Sequence, residues 1–251
     1  MVDMCRLLGV VSKRPIDRRL LAEFRLLADN GKIPRDYGCE QISTRAGHPE
    51  GWGIACKAGN GEVYRRSEVK ATADPLYDAA VRELDRLVTP PFVLVAHLRR
   101  ATRLDTVQVD FNQPYMREIA GRIVFFAHNG SIEGYGVREG KIDSQAYFER
   151  LLLRLEDQPV ATEEFKKRLG EVKGAIASEF PKKVSSLTFI MSDGDKLVGH
   201  RDARECTPYY SLHKVVTDDA FILCSEVLHS VEGKWRLLRN DETVSFSASE
   251  L

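Results

Sequence analysis

Four short segments carry side chains that could perform covalent chemistry together. Cys5 stands near the start of "MVDMCRLLGVVS", at the head of the alternating run Cys5, Leu7, Gly9, Val11. The segments "AHLRRAT", "FAHNGS" and "IDSQ" place polar residues at the ends of apolar runs, where a rigid backbone can hold a side chain toward an opening. A cysteine at a mature N-terminus brings a nucleophile and a base together, because the α-amino group has a reference pKa of roughly 7.7–8.0. Thiolate attack on an amide carbonyl develops an oxyanion, and an asparagine side chain beside a glycine N–H supplies two donors for it. An arginine can clamp a carboxylate in bidentate fashion, and an aspartate can bind an ammonium group. A substrate bearing both groups on one carbon is an α-amino acid.

Each segment taken singly has a simpler account. His97, Arg99 and Arg100 read as a solvated strand end, Asn129-Gly130 as a turn, and Asp143 as the cap of a following helix. Only their occurrence in one chain with Cys5 tips the balance toward chemistry. His97, in an apolar strand, reads as a satisfied structural histidine, and His128 as a residue that orients the Asn129 turn. Trp52 and Gly53 either line a pocket or pack a strand. Ser225 and Glu226 read as partners in a structural hydrogen bond, and Asp193-Gly194 as a turn.

The elements that must position these residues follow from hydrophobic period. After the opening strand, Leu20, Leu21, Phe24, Leu27 and Ala28 recur at helical spacing up to a stop at Asn30-Gly31. The polar stretch Gly31 to Glu50 has no clear period and reads as a long loop able to fold over a site. "GWGIACKAGNGEVYRRS" is a hairpin around Gly59-Asn60-Gly61. Asp74-Pro75 caps and opens a second helix through Leu76, Ala80, Leu84 and Leu87, which ends before Pro90-Pro91. "FVLVAHLRR" and "RIVFFAHNG" are near-continuous apolar runs, as strands buried on both faces require. Helical blocks follow at Ala146 to Leu155 and Glu163 to Phe180. The last third returns to strands, with turns at Asp193-Gly194 and Asn240-Asp241. Strands, helices and strands again, mostly linked as hairpins, predict an α+β chain of two stacked, mainly antiparallel sheets covered by helices. With no linker in view, residues 1–251 are expected to form a single domain.

Composition narrows the function classes. Lysine plus arginine equals aspartate plus glutamate at 37 each, so no net field draws this 251-residue chain to nucleic acid or an anionic membrane. No apolar run approaches the ~20 residues of a membrane span, and no signal peptide opens the sequence, so a cytoplasmic location is the default expectation. The five cysteines show no metal-ligand spacing and no disulfide framework. Cys39, Cys56, Cys206 and Cys224 are expected to pack as small hydrophobes.

In order along nearly the whole chain, "MCRLLGVVS", "HPEGWGIA", "AHLRRAT", "NQPY", "FAHNGSI", "DSQ", "SDGDKLVGHRD" and "CSEVL" resemble the class II glutamine amidotransferases of the N-terminal-nucleophile hydrolase superfamily, in their stand-alone form. The resemblance implies a four-layer αββα sandwich. It implies that Cys5 is the nucleophile with its own amine as base, that Arg99 binds the glutamine α-carboxylate, that Asn129 and Gly130 form the oxyanion pair, and that Asp143 binds the α-amine. The implied reaction is attack on the γ-amide, loss of ammonia, and hydrolysis of a γ-glutamyl thioester to glutamate. Gln113 stands where many relatives have histidine, and Arg100 where an aromatic residue is common; both could alter the pocket's edge.

"MVDM" precedes Cys5 and would hold the needed amine in a peptide bond. The simplest account starts translation at Met4, with methionine removal exposing Cys5; a four-residue propeptide removed by self-cleavage is the other, and a permanent extension would leave the chain silent. Two functions follow: hydrolysis of glutamine or a γ-glutamyl small molecule, or a non-enzymatic γ-glutamyl sensor or interaction subunit. The expected partners are that small molecule and a separate ammonia-accepting synthetase, with no nucleic acid and no membrane, in a monomer or homodimer. No metal or organic cofactor is implied, because thiol, amine and oxyanion donors complete the chemistry.

Overall fold

The opening strand shows why this chain must stack in layers. All seven residues of β1 (Arg6–Ser12) are buried. Alternate side chains point to opposite faces, so Leu8 and Val10 enter one core cluster while Leu7 and Val11 enter another. Such a strand needs cover on both sides. The computed structural model describes residues 5–39, 47–136, 140–155, 163–181 and 184–251.

In chain order the elements after β1 are α1 (Arg18–Asn30), β2 (Trp52–Ala58), β3 (Gly61–Ser67), α2 (Pro75–Leu87), β4 (Phe92–Leu98), β5 (Tyr115–Ile119), β6 (Arg122–Asn129), α3 (Asp143–Leu155), α4 (Glu163–Glu179), β7 (Thr188–Ser192), β8 (Lys196–Arg201), β9 (His213–Val216), β10 (Ala220–Cys224), β11 (Arg236–Leu237) and β12 (Glu242–Ser247). The strands form two antiparallel sheets, one ordered β11-β9-β10-β1-β4-β2-β3 and the other β12-β8-β7-β6-β5. Leu7, Val95, Phe125, Ala127, Ile190 and Leu223 pack between them. Phe24, Tyr77 and Leu84 of α1 and α2 cover the outer face of the first sheet, and Tyr147, Phe165 and Val172 of α3 and α4 cover that of the second. The result is the αββα sandwich, an α+β fold.

Local signals account for much of this. Asp17 caps α1 by accepting the Arg19 N–H at 2.8 Å, and the Gly31 N–H closes its end on the Leu27 carbonyl at 3.0 Å. Asp74 caps α2 through Leu76 N at 2.9 Å, with Pro75 at the first helical position. Residues 59–60 turn β2 into β3 in the register Ala58↔Gly61. α4 is fastened to the second sheet by Lys173, whose Nζ donates to His200 Nε2 at 3.0 Å and pairs with Asp202 at 2.9 Å and with Asp241. A lysine ammonium thus occupies the middle of the His200, Asp202, Asp241 group of potential ligands.

Three expectations change. The Asn240-Asp241 turn does not make a hairpin: β11 pairs with β9 in the first sheet and β12 with β8 in the second, so the turn carries the chain between layers. The stretch Gly31 to Glu50 is not wholly irregular, since Pro34–Tyr37 forms a 3-10 turn; residues 40–46 lie outside the described residues. Cys39 and Cys206 are not separate small hydrophobes but are joined in a disulfide, with Cα atoms 5.9 Å apart across 167 residues of sequence. Cys56 and Cys224 are buried thiols, as expected. Among the described residues no helix is long and apolar enough to cross a membrane.

Candidate active site

β1 and β4 are neighbours at the centre of the first sheet, paired from Arg6↔Leu98 onward, so Cys5 and Arg99 lie just beyond their paired ends. β6 ends at Asn129, opposite Thr188 of β7, and α3 begins at Asp143. These termini converge on a cavity of about 530 Å³ whose wall includes Cys5, Arg99, Gln113, Gly130, Asp143 and Ser185.

Cys5 is half-buried, and its backbone N–H donates to Asn129 Oδ1 at 3.0 Å. Asn129 itself is fully buried. Its Nδ2 is a buried donor with no hydrogen-bond partner among the described residues, a costly arrangement unless a ligand oxygen or water completes it. The next residue must be glycine for a steric reason: a Cβ at Gly130 would lie 2.1 Å from the Ser186 carbonyl oxygen. The Cys5 thiol lies 3.9 Å from the Arg100 carbonyl, and burial pushes its pKa up to about 11 against the opposing effects of that contact and of Arg99. At neutral pH the resting sulfur is therefore a thiol, and any nucleophilic role for it would require a base to take its proton.

Arg99 is buried, and one end of its fork is already engaged. Nη1 donates to the Thr106 carbonyl at 2.7 Å and to Asn112 Oδ1 at 3.2 Å, and Nη2 donates to Thr106 Oγ1 at 2.9 Å. Among the described residues no hydrogen bond takes Nε, and Nη2 has one N–H beyond its bond to Thr106, so these two donors could together meet a bidentate acceptor. Asp143 accepts the Ser144 N–H at 2.8 Å on one oxygen and the Ile132 N–H at 2.7 Å on the other, which fixes its carboxylate at the cavity wall. It both organises the start of α3 and presents an anion.

The neighbouring residues divide clearly. Gln113 lines the cavity while its Oε1 accepts the His128 N–H at 2.5 Å, and Arg100, also on the wall, donates to the Gly47 carbonyl at 2.5 Å. His128 bridges Ser144 Oγ at 3.0 Å and the Ser186 carbonyl at 3.1 Å, so it orients the Asn129 strand end, and burial holds its pKa below the usual histidine value. His97 departs from expectation. It is buried between Gly53 and Leu7 in the sheet, yet neither ring nitrogen has a partner among the described residues, because its strand position faces the apolar layer between the sheets. Trp52 packs the strand, edge-on to Tyr77 with Nε1 donating to Asp74 at 2.9 Å. Ser225 accepts the Leu7 N–H at 2.9 Å, a structural bond as expected.

Other residues at the site were missed from sequence. Glu50 accepts the Ala101 N–H at 3.1 Å, and Thr106 and Asn112 hold Arg99. Arg6, next to Cys5, is buried and donates to the Cys5 carbonyl at 3.2 Å. A charge at an apolar parity of β1 was the available signal for Arg6; the loop residues offered none, since nothing in their spacing ties them to position 99.

The sequence profile described as "Glutamine amidotransferases class-II" matches residues 4–225. A Haemophilus influenzae protein named "Putative glutamine amidotransferase" is 28% identical over 193 residues, covering 70% of this chain and 62% of its own length. The structure of a class II glutamine aminotransferase domain protein from Silicibacter pomeroyi superimposes with a TM-score of 0.57 at 18% identity, covering 98% of this chain and 96% of that one. The allosteric regulatory enzyme of purine biosynthesis superimposes with a TM-score of 0.66 at 14% identity, covering 98% of this chain and 47% of that one. This chain thus spans less than two thirds of the Haemophilus protein and about half of the purine enzyme. The solved structures agree in fold, and the profile match over most of the sequence places this chain in the class II glutamine amidotransferase family.

Proposed function

We propose that the chain hydrolyses the γ-amide of glutamine or of a γ-glutamyl small molecule, with Cys5 as nucleophile, acting as one amidotransferase unit. The observation that carries this is the two-ended engagement of Asn129: Oδ1 on Cys5 N at 3.0 Å, and Nδ2 buried without a partner among the described residues. In the proposed working form Cys5 is the first residue, and Asn129 Oδ1 accepts from its free amine. That amine takes the thiol proton as sulfur attacks the substrate carbonyl carbon. Asn129 Nδ2 and the Gly130 N–H receive the developing oxyanion. The amine returns the proton to the departing nitrogen, ammonia leaves, and water hydrolyses the γ-glutamyl thioester with the same amine as base.

Arg99 receives the substrate α-carboxylate on its Nε–Nη2 edge, and Asp143 receives the α-ammonium; their shared cavity supports this assignment. Ammonia then passes to a separate acceptor enzyme or is released. Intact mass of the untagged protein together with a glutamate-release assay tests the proposal. The expected result is a chain beginning at Cys5 that releases glutamate from glutamine or from a γ-glutamyl amide. A chain beginning at Cys5 and inert toward every γ-glutamyl compound would refute it.

A further inference from the structure

Arg6 is 1% exposed, at a β1 position whose neighbours on the same face are Leu8 and Val10 of the helix-covered core. Burying a guanidinium costs several kcal/mol unless its partners are complete. Here they are unusually complete. Nε donates to Glu226 at 2.5 Å, Nη1 to the Cys5 carbonyl at 3.2 Å, and Nη2 to the Lys32 carbonyl. The Tyr209 ring lies with its centroid 5.1 Å from Cζ. Glu226 also accepts the Lys32 N–H at 2.9 Å, so Arg6, Glu226 and the Lys32 backbone close a ring of charge-assisted bonds behind the nucleophile. A leucine would fill the same space without a buried charge, so packing alone does not account for the arginine.

The ring has one consequence at the cavity. Asn129 holds the nitrogen of Cys5 and Arg6 holds its carbonyl oxygen. With both ends of the residue fixed, the direction of Cα–Cβ is fixed, and with it the arc available to Sγ. We propose that Arg6, locked by Glu226 and Tyr209, is a positioning residue that aims the Cys5 sulfur at the substrate carbonyl. The proposal rests on Cys5 being the nucleophile. Misplacing a reacting group by about an ångström costs on the order of 10²-fold in rate.

The test is covalent labelling of Cys5 by a glutamine-like electrophile, followed by intact mass, in the full chain and in two variants. The double variant R6L/E226L removes the buried pair together and leaves no lone charge. R6K keeps a cation for Glu226 but cannot span the Cys5 and Lys32 carbonyls as well. Positioning predicts that every folded molecule is eventually labelled but that the rate per site falls on the order of 10²-fold in the double variant and by a smaller factor in R6K. KM for glutamine should stay near the wild-type value while kcat falls. A merely structural role predicts fewer labelled molecules at the wild-type rate per site. Folded R6L/E226L labelled at the wild-type rate overturns the proposal; should that variant not fold, wild-type labelling of R6K overturns it equally. Wild-type protein that is not labelled at Cys5 refutes the reading beneath it, which is a separate result.

Discussion

At the residue scale, the candidate side chains stand at the ends of strands and helices, and loop residues hold them. Cys5, Arg99, Gly130 and Asp143 share a cavity wall, and Asn129 reaches Cys5, because each sits where a strand or helix ends. Those ends were visible as polar residues closing apolar runs. The residues that tune them come from loops whose spacing has no period, so Thr106 and Asn112 on Arg99 could not be read in advance. Two predictions belong here. Asn129→Ala removes the unpartnered buried donor and should lower kcat by about 10²–10³-fold with a small change in KM, read from glutamate release. Arg99→Lys replaces a two-pronged edge with a point charge. Losing a hydrogen bond to a charged group is worth about 1.5–3 kcal/mol, so KM should rise by roughly ten- to hundredfold while the rate of Cys5 labelling by a small thiol reagent lacking a carboxylate stays the same. An unchanged KM would remove Arg99 from substrate binding.

At the element scale, strands with apolar residues at both parities correctly announced a layer on each side, and the Asp74-Pro75 signal correctly located the start of α2; the Asp17 cap of α1 came only with the structure. Pairings between distant segments were not legible. The Asn240-Asp241 turn carries hairpin chemistry, yet it joins strands of different sheets, because a turn fixes the local reversal and not the sheet that each strand then enters. Cys39 and Cys206 escaped for the same reason, being 167 residues apart and brought together only by the stacking of the layers. The bond links the loop after α1 to the loop after β8, beside the packed rings of Tyr37 and Tyr209. Removing a link of this kind typically costs about 2–5 kcal/mol. The Cys39→Ser/Cys206→Ser variant, or the wild type held in a dithiol reductant, should therefore melt several degrees lower in calorimetry. The same melting temperature with and without reductant would show that the link adds nothing to stability.

At the scale of the whole molecule, the two apolar outer layers and the apolar interlayer swallow most of the histidines. Of the six in the chain, His48, His97, His128, His200 and His213 all have pKa values held below the usual histidine value, each chiefly by burial. For His200 the value falls to about 4, helped by the Lys173 ammonium that its Nε2 accepts. The sign of the effect on stability follows directly. An unfolded chain takes up protons at these side chains as pH drops through about 6.5, whereas the folded chain refuses them until lower pH. The unfolded state therefore binds more protons in that window, and stability must fall as the solution is acidified. His200 alone contributes roughly 2 kcal/mol of loss by pH 5, before the depressed carboxylates such as Asp202 begin to titrate. Urea unfolding followed from pH 7.5 to pH 5 should show a midpoint that declines across the range with little change in slope. His200→Gln keeps an acceptor for Lys173 without a titrating ring and should flatten part of that decline. A flat midpoint in the wild type would mean that the folded chain takes up protons at these histidines as readily as the unfolded one, which needs acceptors for the imidazolium; His97, whose ring nitrogens have no partner among the described residues, would be the hardest to supply.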